Sequence, residues 1–290
     1  MKHMLAIYKK ELKSYFTSMT GYVFIAFFLC IIGIYYVAYN LGGALANFEY
    51  VLSATSFLFV LLVPILTMRI MAEEKKQKTD QLLFTSPLPP VSIIIGKYLA
   101  VFTVFLIAMG IVSLYPVILL QFGNVPLKTA YGSILGFLLL GSAYIAIGLF
   151  ISSLTESQLV SAVVSFVVIL ITVLMSGIVE MFPKDSKSAW IIFSVILILI
   201  CLITYAVMHN VTVSLSLGII GEAALTIIYF LKQTLLDGLV VRFFHWFSVI
   251  ERYDNFLMGM LDLSAIIYYI SIVFLFLFLT VQSIKKSRWN

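Results

Sequence analysis

Polar positions in this 290-residue chain are confined to short intervals between long apolar runs. A helix rising 1.5 Å per residue needs about 20 apolar residues to cross roughly 30 Å of hydrocarbon. Uncharged stretches of that length predict spans at about 21–40, 51–72, 98–120, 131–152 and 159–179. The interval 188–230 holds one charge, Glu222, and at helical rise would run about 64 Å, so it must turn once. His209-Asn210 is its most polar point and divides it into 190–208 and 211–230. A last run covers 263–283. The pattern predicts an all-α, polytopic membrane bundle of about eight transmembrane helices, forming a single domain over 1–290.

Three further segments have helical periodicity without the length or apolarity of a span. In residues 1–20, Met4, Leu5, Tyr8, Leu12, Tyr15, Phe16 and Met19 recur on one face, and Lys2, Lys9, Lys10 and Lys13 occupy the rest. This predicts a cationic interfacial helix in the inner headgroup layer. A signal peptide is the rival, but the apolar run after Gly21 is of full span length and no small-x-small site closes it. Within 231–262, the stripe Leu235, Leu236, Leu239, Val240, Phe243, Phe244 and Phe247 predicts an outer interfacial helix, with a re-entrant cap over a path as the alternative. The third segment begins at Glu73.

Composition confirms the bilayer as the solvent. Apolar residues make up 62% and charged residues 11% of the chain, with a mean hydropathy of +1.13. A water-soluble domain carries about 25% charged residues, so too few are present to coat one. Of the 18 Lys and Arg residues, twelve fall on the side of the chain ends in the eight-span arrangement and six on the other. That bias predicts both termini in the cytoplasm. The basic excess is too small and dispersed for a nucleic-acid partner. Cys30 and Cys201 both lie in apolar runs, which suits packing rather than a disulfide or metal site.

Charges begin abruptly after the second apolar run, in the interval 73–97. Thr79 or Asp80 can cap a short helix bearing Leu82 and Leu83; Pro87, Pro89 and Pro90 stop it, and Ser92 can cap the next span. An apolar-tipped helix in the largest inner loop fits a partner's groove; a solvated charged loop fits the same pattern equally well.

Glu73-Glu74-Lys75, Thr79, Leu82-Leu83, Thr85-Ser86-Pro87 and Gly96-Lys97-Tyr98 stand in this order and spacing. The segment resembles the cytoplasmic loop of the ABC type-2 permease family. It departs from the usual form at Lys78, where glycine is common, and at Gln81, where glutamate is common. The C-terminal part is similar to the gliding-motility-associated and nitrous-oxide-reductase-maturation branch, through Gly259–Ser264, Tyr268-Tyr269, the run 274–280 and 285–289. Small members of that branch have six spans, so the resemblance makes 187–230 an added hairpin. It implies a permease paired with a second permease subunit and a cytoplasmic ABC ATPase dimer. Glu73, Glu74, Lys75, Thr79, Asp80, Gln81, Leu82, Leu83, Ser86 and Pro87 would then be the ATPase-contacting residues, with ATP-Mg held by the partner and no cofactor bound by this chain.

The residues themselves carry no catalytic motif. No Gly-x-x-x-x-Gly-Lys-Ser/Thr loop or Gly-x-Ser-x-Gly elbow occurs, and the three histidines have no metal-ligand spacing. Energy for pumping must therefore come from another chain or from an ion gradient. Glu222 is the intramembrane polar candidate, because a charge at mid-bilayer costs on the order of 2.5–3.5 kcal/mol. The expected function is the membrane subunit of an ATP-driven exporter in the bacterial plasma membrane. The alternatives are an ion-coupled secondary transporter using Glu222 and a non-transporting membrane assembly factor.

Overall fold

The computed structural model describes residues 2–79, 89–208, 211–231 and 236–289, and among them every regular element is helical. Helices α1 (Lys2–Thr17), α2 (Thr20–Tyr36, extended by a π-helical turn Val37–Gly42), α3 (Glu49–Thr55), α4 (Leu58–Thr67) and α5 (Arg69–Lys76) come first. They are followed by α6 (Pro90–Val112), α7 (Tyr115–Leu119), α8 (Leu127–Leu154), α9 (Gln158–Glu180), α10 (Ser186–Met208) and α11 (Val211–Leu231). Then come α12 (Leu239–His245), a 3₁₀ turn Glu251–Tyr253, α13 (Asp254–Leu257) and α14 (Leu263–Trp289). The chain divides into two compact units, Met1–Val173 with Arg252–Asn290, and Leu174–Glu251.

In the first unit α8 is the central post, and α3, α4, α5, α6, α13 and α14 all pack on it. Lipid gives no hydrophobic gain for joining two apolar helices, so small residues that let backbones approach decide where they meet. A Cβ at Gly136 would lie 2.5 Å from Phe256, at Gly141 2.5 Å from Phe105, and at Gly148 2.3 Å from the Thr67 hydroxyl. Phe59 fills the same layer, with ring centroids 4.6 Å from Phe137 and 5.7 Å from both Phe105 and Tyr144. Helix α14 is started by Asp262, whose carboxylate accepts hydrogen bonds from the backbone and side chain of Ser264, each 2.8 Å. These bonds hold the Asp262 carboxyl below its usual range.

The second apolar run is not one straight helix. Its two parts, Glu49–Thr55 and Leu58–Lys76, meet at 63°. The bend falls at Thr55-Ser56 rather than at Pro64. The Thr55 hydroxyl donates to the Val51 carbonyl at 2.8 Å and that of Ser56 to Ser53 at 2.7 Å, while the Ser56 amide bonds Ser53 in a 3₁₀ step. Side-chain competition for helix carbonyls is a known cause of such bends. Helix α6 also begins eight residues before the expected 98, with Pro89 as its extended N-cap and Pro90 at N1. Ser92 lies inside its first turn and is not the cap; a proline at N1 has no N–H to leave unsatisfied.

Among the described residues, five helices are long and apolar enough to cross a bilayer: Thr20–Gly42, Pro90–Leu119, Leu127–Leu154, Gln158–Glu180 and Leu263–Lys286. The bent pair makes a sixth when taken as one span. The eight counted from the sequence include α10 and α11, whose described apolar stretches, Ser186–Leu202 and Gly218–Leu231, are shorter. Helices α8 and α14 run in the same direction (Phe150 meets Phe276, Thr129 meets Gly259), so α14 ends at the Leu154 end of α8; α1 lies at that same end, the terminal face, where its Glu11 and the Glu74 of α5 share Lys97 and α5 is bonded to Ser152.

In the second unit α10 and α11 form an antiparallel hairpin, with Leu197 against Gly221 and Cys201 against Gly218. The expected turn at His209-Asn210 lies outside the described residues, as does Leu235. Gly238, at φ +67°, starts α12. Its Val240 and Phe244 pack with Leu236, Ala189 and Phe182, and Phe182 stacks on Phe244 at 5.1 Å. Leu239, Phe243 and Phe247 remain exposed, so only part of the predicted stripe is spent within this unit.

Candidate functional site

The charged residues at the exit of the second span form a closed network at the terminal face. Helix α1 crosses α6 at Gly96, where a Cβ would meet the Met4 carbonyl at 3.0 Å and Ile7 at 3.2 Å. This close crossing brings Glu11, the one acidic residue of α1, to Lys97. The Lys97 ammonium is 1% exposed and bonds Glu11 at 3.0 Å, Glu74 at 2.8 Å and the Ile70 carbonyl at 3.0 Å. An ammonium has three N–H donors, and all three are used. Lys10 lies 3.8 Å from Glu74 and adds a solvated cation to the rim.

The remaining bonds fix α5 from every side. Arg69 pairs with Glu73 at 2.9 Å and reaches back to the Thr20 hydroxyl at 2.6 Å. The Lys75 ammonium donates to the Ser153 carbonyl at the end of α8. The Ser152 hydroxyl accepts from the amides of Met71 and Ala72 and donates to the Met68 carbonyl, each at 3.2 Å. Tyr15 on α1 donates to the Leu66 carbonyl at 2.8 Å, and burial, reinforced by Glu11, holds its phenol well above the usual range. Tyr98, next to Lys97, donates to the Ser142 carbonyl of α8 at 3.2 Å. The consecutive residues Gly96, Lys97 and Tyr98 thus engage three different helices: α1, α5 and α8.

Helix α5 ends in a Schellman turn. The Thr79 amide bonds the Glu74 carbonyl at 3.0 Å, the Lys78 amide bonds Lys75 at 3.1 Å, and Lys78 adopts φ +56°. That left-handed position suits glycine, which gives the departure at Lys78 a physical meaning: a lysine there holds strain that glycine would not. The Thr79 hydroxyl also turns back to the Glu74 carbonyl, at 3.3 Å. Thr79 therefore closes α5, and the helix that Thr79 or Asp80 is expected to cap lies outside the described residues.

Of the expected partner-contact residues, Glu73, Glu74, Lys75 and Thr79 are brought together here, with their polar atoms engaged within the chain. Asp80, Gln81, Leu82, Leu83, Ser86 and Pro87 lie outside the described residues. Glu222 is on α11 in the second unit, where the Ser194 hydroxyl of α10 donates to it at 2.7 Å. Sequence reasoning missed Glu11 and the role of Lys97. The available signal was a lone acid in a lysine-rich amphipathic helix. Among the described residues, no group of three or more His, Cys, Asp and Glu could hold a metal ion.

The Ser194 bond yields a prediction for Glu222. Glu222→Gln keeps the acceptor oxygen, so insertion and the detergent denaturation midpoint should stay at wild-type values. Glu222→Leu strands Ser194 and should cost about 1–2 kcal/mol, the scale of an interhelical hydrogen bond in lipid. A Glu222→Gln protein that inserts normally but fails in transport would instead assign proton exchange to this carboxylate.

The fold is that of a helical, polytopic membrane protein. Residues 42–231, about two-thirds of the chain, match the profile described as ABC-2 family transporter protein. The chain belongs to this family of ABC-transporter membrane subunits. The matched interval runs through the α10–α11 hairpin and ends before the C-terminal residues that carry the branch resemblance. No curated protein matches the chain.

Proposed function

We propose that this chain is the membrane subunit of an ATP-driven exporter. It pairs with a second permease subunit and docks a cytoplasmic ABC ATPase dimer through residues 73–87. ATP-Mg is bound by that partner, both termini lie in the cytoplasm of a bacterial plasma membrane, and the branch is the gliding-motility and nitrous-oxide-reductase-maturation one. The observation that carries this reading is the Lys97 network. It makes α1, α5 and the start of α6 one rigid piece on both sides of the 80–88 segment. A push on that segment is then passed to α4 as a rigid-body movement, not absorbed by a soft loop. The Ser194 bond to Glu222 favours a structural carboxyl over ion coupling, so the secondary-transporter alternative has the weaker support.

The test uses Leu82 and Leu83, which with Phe84 form an apolar group in a polar stretch that is expensive to leave in water. The double substitution Leu82→Asp with Leu83→Asp should abolish co-purification of the ATPase, while the permease inserts at wild-type level. Undiminished co-purification would remove this segment from the interface.

A further inference from the structure

The Lys97 network turns Glu11, the only acid of α1, into the protein and leaves the opposite side of that helix cationic. At about 100° per residue, Ile7, Glu11 and Tyr15 share one strip, the seam against α5 and α6. Lys9 and Lys13 lie one turn apart, half-way round the helix from that seam. Both are exposed, and neither ammonium has a partner among the described residues. Like charges four residues apart on a helix repel, so an anion seated between them is stabilising.

Two contacts fix how α1 is rolled against the bilayer. On one flank of the seam, the Tyr8 hydroxyl meets that of Thr103 at 3.1 Å, inside the apolar stretch of α6. On the other flank, Lys10 lies 3.8 Å from Glu74, past the end of the second apolar run. The first flank therefore faces hydrocarbon and the second faces water. Lys9 and Lys13 point sideways from the protein, at the level between the two. Leu5, Leu12 and Phe16 form the strip between Tyr8 and these lysines. Leu5 is 49% exposed, and the Phe16 ring meets that of Tyr22 edge-on at 5.3 Å. Tyr22, 58% exposed, stands in the first turn of a helix long enough to span a bilayer. The apolar strip of α1 thus runs on into the outward surface of α2, and the lysine pair borders it.

We propose that Lys9 and Lys13 bind the phosphate of an anionic phospholipid whose acyl chains lie along Leu5 and Phe16. A soluble anion has no use for the apolar strip. A zwitterionic lipid would bring an ammonium to a helix side that offers it only lysines, since the one acid of α1 is spent on Lys97. The bound lipid holds α1 at the bilayer surface, and with it the Glu11 contact of Lys97. This lipid site needs only the membrane class of the chain, and stands whether or not transport is ATP-driven.

The experiment places a tryptophan at the site with Leu5→Trp, in a background carrying Trp190→Phe, Trp246→Phe and Trp289→Phe. The full chain is reconstituted in phosphatidylcholine bilayers. Quenching by brominated-chain phosphatidylglycerol, set against quenching by brominated-chain phosphatidylcholine, reads the relative affinity of the two lipids for this helix. Phosphatidylglycerol should be preferred roughly tenfold or more, because two basic residues meet its charge. Lys9→Gln and Lys13→Gln should each lower the preference about fivefold, the worth of one basic residue at an anionic surface. Lys9→Arg keeps the charge and should retain the preference. Lys76→Gln removes an exposed charge from the end of α5 and should leave it unchanged. Equal quenching by the two lipids, or an equal loss in Lys76→Gln and Lys9→Gln, overturns the proposal. Loss of the preference on adding inorganic phosphate at constant ionic strength also overturns it, by making a soluble anion the occupant.

Discussion

Lys97→Met is expected to destabilise the chain by about 3–5 kcal/mol, the cost of breaking a buried ion pair from one side. The substitution leaves Glu11 and Glu74, 13% and 15% exposed, facing one another without the cation that both contact. The Ile70 carbonyl loses its side-chain donor at the same time. The damage arises from uncompensated charge, so neutralising the acids should reverse it. The triple variant Lys97→Met, Glu11→Gln, Glu74→Gln should recover most of the lost stability in detergent denaturation. A Lys97→Met protein with a wild-type midpoint would mean that water already solvates the two acids, and the network would not brace α5.

The second large effect is expected at Gly141. A Cβ there would stand 2.5 Å from the Phe105 ring and 2.9 Å from that of Phe59, inside the aromatic layer that joins α4, α6 and α8. Gly141→Leu must push these helices apart and should cost about 1–3 kcal/mol or more. Gly110→Leu is the matched control, because a Cβ at that position meets nothing within 4 Å and the side chain can extend freely. Its denaturation midpoint should not fall. Equal losses in both variants would indicate a general intolerance of leucine at helix glycines, and would sink the argument from close packing.

The positions of the helices were legible because a bilayer makes every span report itself as a long uncharged run. The bend at Thr55-Ser56 was not, since the hydroxyls that compete for the Val51 and Ser53 carbonyls look like ordinary small residues in an apolar stretch. Pro64 stands inside Leu58–Thr67, where it leaves that helix unbroken; the break between the two parts of the run lies before it. The polar network was half legible. Glu73, Glu74 and Lys75 stood out as a charge cluster at a span exit, whereas Lys97, the partner of Glu74, is 23 positions further on, and Glu11, which shares that lysine, is 63 positions before Glu74.

The sequence by itself determined the helical membrane class, the approximate spans, the membership in a permease family and the segment at which charges gather. Hydropathy and helical period are local quantities, and each can be read from a window of about twenty residues. The tertiary structure decided which helix is the post, which lysine closes the network and which two acids share it. Those outcomes depend on backbone approach at Gly96, Gly136, Gly141 and Gly148, where the absence of a side chain lets residues far apart in the chain meet. A missing Cβ has no hydropathy, so its consequence appears only when the partner that fills the space is in place.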